Sequence, residues 1–375
     1  MIHVLIDTSI YRQNPKRDSL NFRAIEKLAD ANWLKIHIPY IVEREFQTQQ
    51  REIYSKDLSN AINGLNGLAR KQLSLEYSET IQRITEELES KQELILDDAE
   101  RQFTEWGKKI NANRFPLCIE QTNEALESYF RGKPPFKNIK SRNDIPDGFI
   151  VQSVLKICNE VETQIHFVAH DKKLREAFNE NDKIKTYQKL SDFVETSLVQ
   201  QELKDLDFLD DLDEITKSLI AFENEHHEIH NAISSEIGEA LIGKNIHDDS
   251  IYDDENSAII NGYYDAEDIE INFDDINYYG SGHIGMSFSL KILVSADFYI
   301  FKSDYHAMVD YDMKPRPSVT DHNDHYYEAE DEFELVVEGV VSLVIDPENI
   351  VLEDLSKSIE DVSIKIDEIN NIKVC

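Results

Sequence analysis

The sequence predicts an α/β unit built on a parallel sheet, followed by a helical connector and a mainly antiparallel β unit. Short aliphatic runs alternate with helical patterns as far as about residue 198, which is typical of a parallel sheet covered by helices on both faces. Apolar and polar residues then alternate with period two over 284–300 and 333–345, as in antiparallel strands with one buried face. The charge of the chain also changes sharply near residue 200.

Four strands are expected in the first unit, over residues 2–6, 34–38, 165–169 and 183–187. The first is an unbroken aliphatic run with one histidine, as in a strand buried on both faces. The region from about 47 to 131 has almost no proline and is rich in Glu, Gln, Lys and Leu. We therefore expect a helical insertion there, with helical periodicity in its apolar residues.

The charge is unevenly divided. The whole chain has a net charge of −35, but residues 201–375 hold 10 basic and 43 acidic residues, which leaves the first 200 close to neutral. Phosphate binding needs a basic surface, so the charge argues against nucleic-acid binding only for residues 201–375. We expect a first domain over 1–198, a helical connector with an acidic loop over 199–255, and an acidic β-rich domain over 256–375.

Cysteine usage and hydropathy indicate a soluble, cytoplasmic protein. Cys118, Cys158 and Cys375 are widely spaced and odd in number, which fits neither a disulfide framework nor a zinc pattern. The apolar start ends at Asp7, too early for a signal peptide, and no apolar run approaches the roughly 20 residues of a membrane span.

Four acids are expected to meet at one edge of the parallel sheet. Asp7 and Asp171 end strands, while Glu43 and Asp147 begin helices that face the same edge, where ligands of open α/β sheets normally bind. Such carboxylates repel one another unless divalent cations neutralise them, and oxygen ligands suit Mg²⁺ or Mn²⁺. A site of this kind can hydrolyse a phosphodiester without a protein nucleophile.

Each acid also has a plainer interpretation. Asp7, Asp147 and Asp171 could cap helices, and Glu43 could be a solvated acid in a first helical turn. Glu45 competes with Glu43, which is nearer the strand end. Asp144 is a further candidate ligand, since it stands three residues before Asp147.

In this order the motifs resemble those of the PIN-domain nucleases over residues 1–198. They are Val4-Leu5-Ile6-Asp7-Thr8-Ser9, Glu43, Asp147-Gly148-Phe149-Ile150-Val151 and Asp171. The resemblance is to the larger bacterial members with a helical insertion, because the spacing from Glu43 to Asp147 is longer than in compact members. Ala169-His170 stands where a hydroxyl often precedes the last aspartate.

The resemblance implies a three-layer α/β/α sandwich and an endoribonuclease that uses Mg²⁺ or Mn²⁺, with DNA as a less common substrate. It implies that Asp7, Glu43, Asp147 and Asp171 are catalytic metal ligands and that Ser9 hydrogen-bonds the first aspartate. It also fits a toxin or defence effector.

A basic segment precedes the third acid. Its five basic residues, with no acid among them, are Arg131, Lys133, Lys137, Lys140 and Arg142. They offer charge for phosphates, and Phe136 offers a ring on which a base could stack. A solvated loop is the alternative.

Two functions follow from the sequence. The first is a nuclease whose acidic domain binds a basic protein, or a basic face of another copy of the chain, and so regulates it. The second is a non-catalytic interaction protein on a degenerate PIN-like scaffold. A P-loop nucleotide hydrolase is disfavoured, because the sequence has no glycine-rich loop ending in Lys-Ser/Thr.

Overall fold

The computed structural model describes residues 1–136, 138, 144–161, 163–207, 212–310, 316–345 and 364–375. The chain forms two compact units, Met1–Val199 and Gln200–Cys375. The first has a parallel sheet with flanking helices and the second an antiparallel sheet, so the predicted fold class is confirmed. In the described ranges, no helix combines the length and apolarity that a membrane crossing requires.

The first unit has five strands and eight complete helices within its described residues. They are β1 (Ile2–Ile6), α1 (Thr8–Gln13), α2 (Leu20–Asp30), β2 (Leu34–Pro39), α3 (Tyr40–Ala69), α4 (Leu75–Lys109), β3 (Asn113–Phe115), α5 (Ile119–Arg131), α6 (Ile145–Glu160), β4 (Ile165–Val168), α7 (Lys172–Glu176), β5 (Ile184–Tyr187) and α8 (Leu190–Val194). The strand order is β3-β2-β1-β4-β5, with every pair parallel.

β1 is the central strand because its side chains are apolar on both faces. Val4, Leu5 and Ile6 are at most 1% exposed, and the strand pairs with β2 on one side and β4 on the other. The ladder continues one residue further, where the N–H of Asp7 donates to the carbonyl of Val168 at 2.8 Å. The backbone therefore leaves the sheet after Asp7, which lies between the ends of β2 and β4.

The predicted insertion is mostly helical but also contains a strand. α3 and α4 pack against each other, and Arg51 on α3 forms ion pairs with Glu93 and Asp97 on α4. The strand is β3, which pairs with β2 from His37 opposite Asn113 to Pro39 opposite Phe115. Sequence analysis missed it because three residues are too few to show a period.

An aromatic cluster anchors α3 and α4 to the helix that follows Asp7. Tyr11 on α1 contacts the rings of Phe22, Phe46, Phe103 and Trp106, with centroids 5.0 to 5.8 Å apart. Such ring pairs contribute about 0.5–1.5 kcal/mol beyond the area they bury. The insertion is thus packed into the core of the first unit at this end.

The second unit is a six-stranded antiparallel sheet with helices. The boundary between the two units falls within α9 (Ser197–Asp207). The elements that follow are α10 (Leu212–His226), α11 (Glu228–Leu241), β6 (Asn245–His247), β7 (Ser257–Gly280), β8 (His283–Phe301), α12 (Lys302–Asp310), β9 (Ser318–Asp321), β10 (Tyr326–Val344) and β11 (Lys365–Val374). The order is β11-β10-β8-β7-β6, and β9 pairs with β10. Whether residues 199–255 act as a separate connector stays a prediction.

One face of this sheet is buried and the other is polar. The alternating residues of β8 from Ile284 to Ile300 are at most 5% exposed. α11 contacts β7 and β11, and it buries Ile229, Ile233 and Ile237. On β10 the opposite face carries the exposed acids Glu328, Glu330, Glu332 and Glu334.

Histidines of the parallel sheet are held neutral by burial. His3 Nδ1 lies 2.9 Å from His37 Nε2, and His166 Nδ1 lies 2.9 Å from the hydroxyl of Tyr187. Burial lowers the pKa of His37 and of His166 to about 4, with a smaller effect of nearby charges. Both side chains are 4% exposed, so protonating them in the folded state is costly.

These histidines predict one pH-dependent contribution to the stability of the first unit. Between pH 6.5 and about 4 the unfolded chain binds protons that His37 and His166 refuse in the folded chain, so their contribution to the free energy of unfolding should fall as pH falls through this window, opposite in sign to that of carboxyl groups whose pKa is raised. The loss is about 3 kcal/mol for each histidine. Urea unfolding at several pH values measures it. His166→Phe removes one of the two groups and should flatten the pH dependence, whereas an unchanged slope would contradict the assignment.

Candidate metal centre

Asp7 is fixed at the carboxyl end of β1 by hydrogen bonds. Its side chain is 6% exposed, and its Oδ2 accepts from Ser9 N at 3.0 Å and from Ser9 Oγ at 2.5 Å. Ser9 Oγ in turn accepts from the N–H of His170 at 3.2 Å, which joins the end of β1 to the residues after β4. Asp7 is therefore the N-cap of α1 and also a preoriented carboxylate at the sheet edge.

Asp171 is a helix cap on the neighbouring strand. Its Oδ1 accepts from the backbone N–H groups of Lys173 at 2.7 Å and Leu174 at 3.2 Å, so it begins α7 while remaining exposed. Its negative charge also affects Asp7. Burial raises the pKa of Asp7 above its ordinary range, and the charge of Asp171 adds to that rise. The capping interpretation and the shared sheet edge are thus compatible.

The pKa of Asp147 is affected by each of the other acids proposed or considered for the site, apart from Glu43. It lies in the first turn of α6, three residues after Asp144, which holds the N-cap position. Burial and then the charges of Asp7, Asp171, Asp144 and Glu45, in that order, raise the pKa of Asp147 to about 7. Three carboxylates from other elements, together with the helix cap Asp144, therefore act on one half-buried group.

Glu43 and Glu45 have different partners. The buried carboxylate of Glu43 accepts from Arg114 Nε at 3.0 Å, from a second nitrogen of the same guanidinium, and from Thr104 Oγ1 at 3.0 Å. Glu45 accepts from Thr8 Oγ1 at 2.9 Å. Burial, and after it the charge of Asp7, raises the pKa of Glu45, opposed by the Thr8 hydrogen bond.

The helix explains the difference. Two residues along α3 correspond to a rotation of about 200°, so the two carboxylates leave α3 on nearly opposite sides. The structure directs Glu45 to Asp7 and Glu43 to Arg114. Proximity to the strand end, the criterion that favoured Glu43 in the sequence, does not report which side of the helix faces the site.

The donor set suits a hard divalent cation, although it is not closed around one point. Among the described residues, no three His, Cys, Asp or Glu side chains lie close enough to share an ion. The charges of Asp7, Glu45, Asp147 and Asp171 nevertheless repel one another, and all four offer the oxygen ligands that Mg²⁺ and Mn²⁺ prefer. Asp171 is exposed and Asp147 half-buried, so both carboxylates are accessible from solvent.

The basic segment is only partly described. Arg131 is exposed and forms an ion pair with Glu127 at 2.8 Å, and Lys133 is also exposed. The other three predicted contacts, Lys137, Lys140 and Arg142, lie outside the described residues.

Phe136 corrects one prediction made for that segment. Its ring is 4% exposed and packs against Tyr129, with centroids 5.6 Å apart. On the other side it meets Gly148, where a Cβ would lie 2.5 Å from the ring. The prediction that Phe136 stacks a base is therefore wrong, because the ring is buried beneath the first turn of α6 and supports the turn that carries Asp147.

Comparison with known proteins relates the segment that contains this sheet edge to a protein family. Residues 4–174 match the family described as PIN domain. Residues 4–174 form a PIN domain. No curated protein and no solved structure matches the chain. The matched range begins in β1 and ends in α7, so the PIN domain contains all the acids described above. PIN domains are typically metal-dependent nucleases, so the match suggests a nuclease family for residues 4–174.

The repulsion within the PIN domain predicts a stabilising substitution. A carboxyl whose pKa is raised from 3.8 to about 7 destabilises the fold above that range, so Asp147→Asn should increase the free energy of unfolding at pH 8, without divalent cations, by on the order of 2 kcal/mol. Mg²⁺ should raise the melting temperature of the unsubstituted protein more than that of the variant. Asp182→Asn, at an exposed position, is the matched control. Destabilisation by Asp147→Asn at pH 8 would contradict the repulsion.

Proposed function

We propose that the PIN domain is a nuclease that hydrolyses phosphodiester bonds of RNA, with DNA as the alternative substrate. Asp7, Glu45, Asp147 and Asp171 would hold Mg²⁺ or Mn²⁺. The observation that carries the proposal is the position of Asp7 and Asp171 at the ends of the paired parallel strands β1 and β4, within the residues that match the PIN domain. The pKa of Asp147, raised by burial and then by the charges of the other three carboxylates, supports it. Asp144 acts on the same group and is proposed as an additional ligand.

The chain contributes orientation and charge to this reaction. When bound, a divalent cation activates water and stabilises the charge that develops on the phosphate. Ser9 and the start of α1 hold the carboxylate of Asp7 in one orientation, and Thr8 does the same for Glu45. Partners of this kind reduce the rearrangement that ligands must undergo on binding.

Substrate phosphates would meet the segment that leads into α6. We propose that its five basic residues, Arg131, Lys133, Lys137, Lys140 and Arg142, contact the sugar-phosphate backbone, since they directly precede the turn with Asp144 and Asp147. Contacts of this type carry no base preference. Sequence selectivity, if the nuclease has any, must come from other residues.

The second unit is proposed to bind a basic partner and regulate the nuclease. Its 43 acidic and 10 basic residues after position 200 repel nucleic acid and attract positive surfaces. A basic protein or another copy of this chain fits that charge. A cytoplasmic location and a toxin or defence role stay predictions.

A non-catalytic interaction protein is the second candidate function. It is favoured by one observation, namely that no three potential ligands among the described residues already share a metal-sized space. A labelled RNA oligonucleotide, with Mn²⁺, Mg²⁺ or a chelator, separates the two functions. Cation-dependent cleavage supports the nuclease.

The choice between Glu45 and Glu43 yields a paired prediction. Glu45→Gln should reduce Mn²⁺-dependent cleavage by about 100-fold or more, since even groups that only support a metal site contribute about 10- to 100-fold. Glu43→Gln should change cleavage less, but it weakens the interaction with the half-exposed Arg114 and should lower the free energy of unfolding by about 1–2 kcal/mol. Cleavage rates and urea unfolding of both variants measure these effects.

The pair controls for itself, because the same substitution is made two residues apart on one helix. Loss of cleavage in a well-folded Glu43→Gln protein, together with full activity of Glu45→Gln, would return the metal site to Glu43.

A further inference from the structure

The outer face of the antiparallel sheet carries a cavity of about 650 Å³. It lies over β7, β8 and β10, between the turn that precedes β7 and the turn that joins β9 to β10. All of its lining belongs to the second unit, so it is separate from the acids of the PIN domain. Its volume is large enough for an extended side chain or a small organic molecule.

Aromatic rings form part of its wall. Tyr299 is 44% exposed, and its ring centroid lies 4.6 Å from that of His322. The ring of Tyr326 lies beside that of Phe301, with centroids 4.2 Å apart and the rings tilted by 32°, and the Tyr326 hydroxyl donates to Asp254 Oδ2 at 2.9 Å. That bond ties the turn before β7 to β10 and fixes the orientation of the Tyr326 ring.

Two carboxylates lie beside these rings. Glu328 pairs with Tyr299 across β10 and β8, and Asp297, two residues before Tyr299, has its side chain on the same face. Neither carboxylate forms a hydrogen bond or an ion pair with any described residue. Among the described residues that line the cavity there is no lysine or arginine. Within the described part of the chain, the negative charge here is therefore not neutralised by a lysine or arginine.

The combination selects one kind of ligand. Aromatic faces attract ammonium and guanidinium groups within about 6 Å, and carboxylates form strong charge-assisted hydrogen bonds with the same groups. A hard metal ion would instead need several converging oxygens, whereas aromatic rings form part of this wall. Nucleic acid is disfavoured by the charge of the wall.

We propose that this cavity binds an organic cation, an alkylammonium or guanidinium group held between the rings of Tyr299 and Tyr326 and the carboxylates of Asp297 and Glu328. Such a group can come from a free polyamine or from a lysine or arginine side chain of a basic protein. The binding needs no cleavage by the PIN domain, so it stands or falls independently of the nuclease.

The full chain tests this by isothermal titration calorimetry at 150 mM NaCl. The probes are spermidine, acetyl-Arg-Arg-amide and, as the neutral control, acetyl-Gln-Gln-amide. The double substitution Asp297→Asn with Glu328→Gln should weaken cation binding by about tenfold or more, and Tyr299→Leu by about threefold. Glu334→Gln removes one exposed carboxylate elsewhere on β10 and should leave binding unchanged.

The outcomes separate specific binding from general attraction. Tighter binding of spermidine identifies a free polyamine as the source of the cation, and tighter binding of the arginine peptide identifies a basic protein; either supports the site. Absence of saturable binding overturns it, as does equal weakening by Glu334→Gln or binding of the glutamine peptide with similar affinity. Circular dichroism confirms that each variant is folded.

Discussion

Repulsion between carboxylates at one sheet edge is the constraint on which the first unit depends. Four elements bring acids there, and burial together with the charges of these acids raises the pKa of Asp147 to about 7. An arrangement of this kind lowers stability in the absence of a cation, since each charge lost would relieve the others. A protein that keeps it gains a strong electrostatic attraction for divalent cations in return.

The rest of the PIN domain serves to hold these acids in place. β1 is central because it is apolar on both faces, so Asp7 must emerge between β2 and β4. Capping hydrogen bonds orient Asp7 and Asp171, and the buried ring of Phe136 supports the turn that carries Asp147. Contacts that are common structural features, such as helix caps and the packing of a ring against a glycine, thereby also orient the charged groups.

The sequence predicted the fold class because periodicity reports burial directly, whereas the metal site at the sheet edge stays a prediction. It could not separate Glu43 from Glu45, since two acids two residues apart differ only in the side of the helix they face, and that depends on how α3 packs. β3 escaped detection because its pairing with β2, rather than its three residues, makes it a strand. Phe136 resembled a stacking ring because its burial depends on Gly148, twelve residues later.

Direct binding of Mn²⁺ tests the central claim, that these acids form a divalent-metal site. Calorimetric titration of the full chain at pH 8 should give saturable, near-stoichiometric binding that Asp7→Asn weakens by about tenfold or more, because one charged ligand is lost while its hydrogen bond to Ser9 can be kept. The measurement requires no substrate and no knowledge of what is cut. Binding that is absent, or that Asp7→Asn leaves unchanged, would contradict the account.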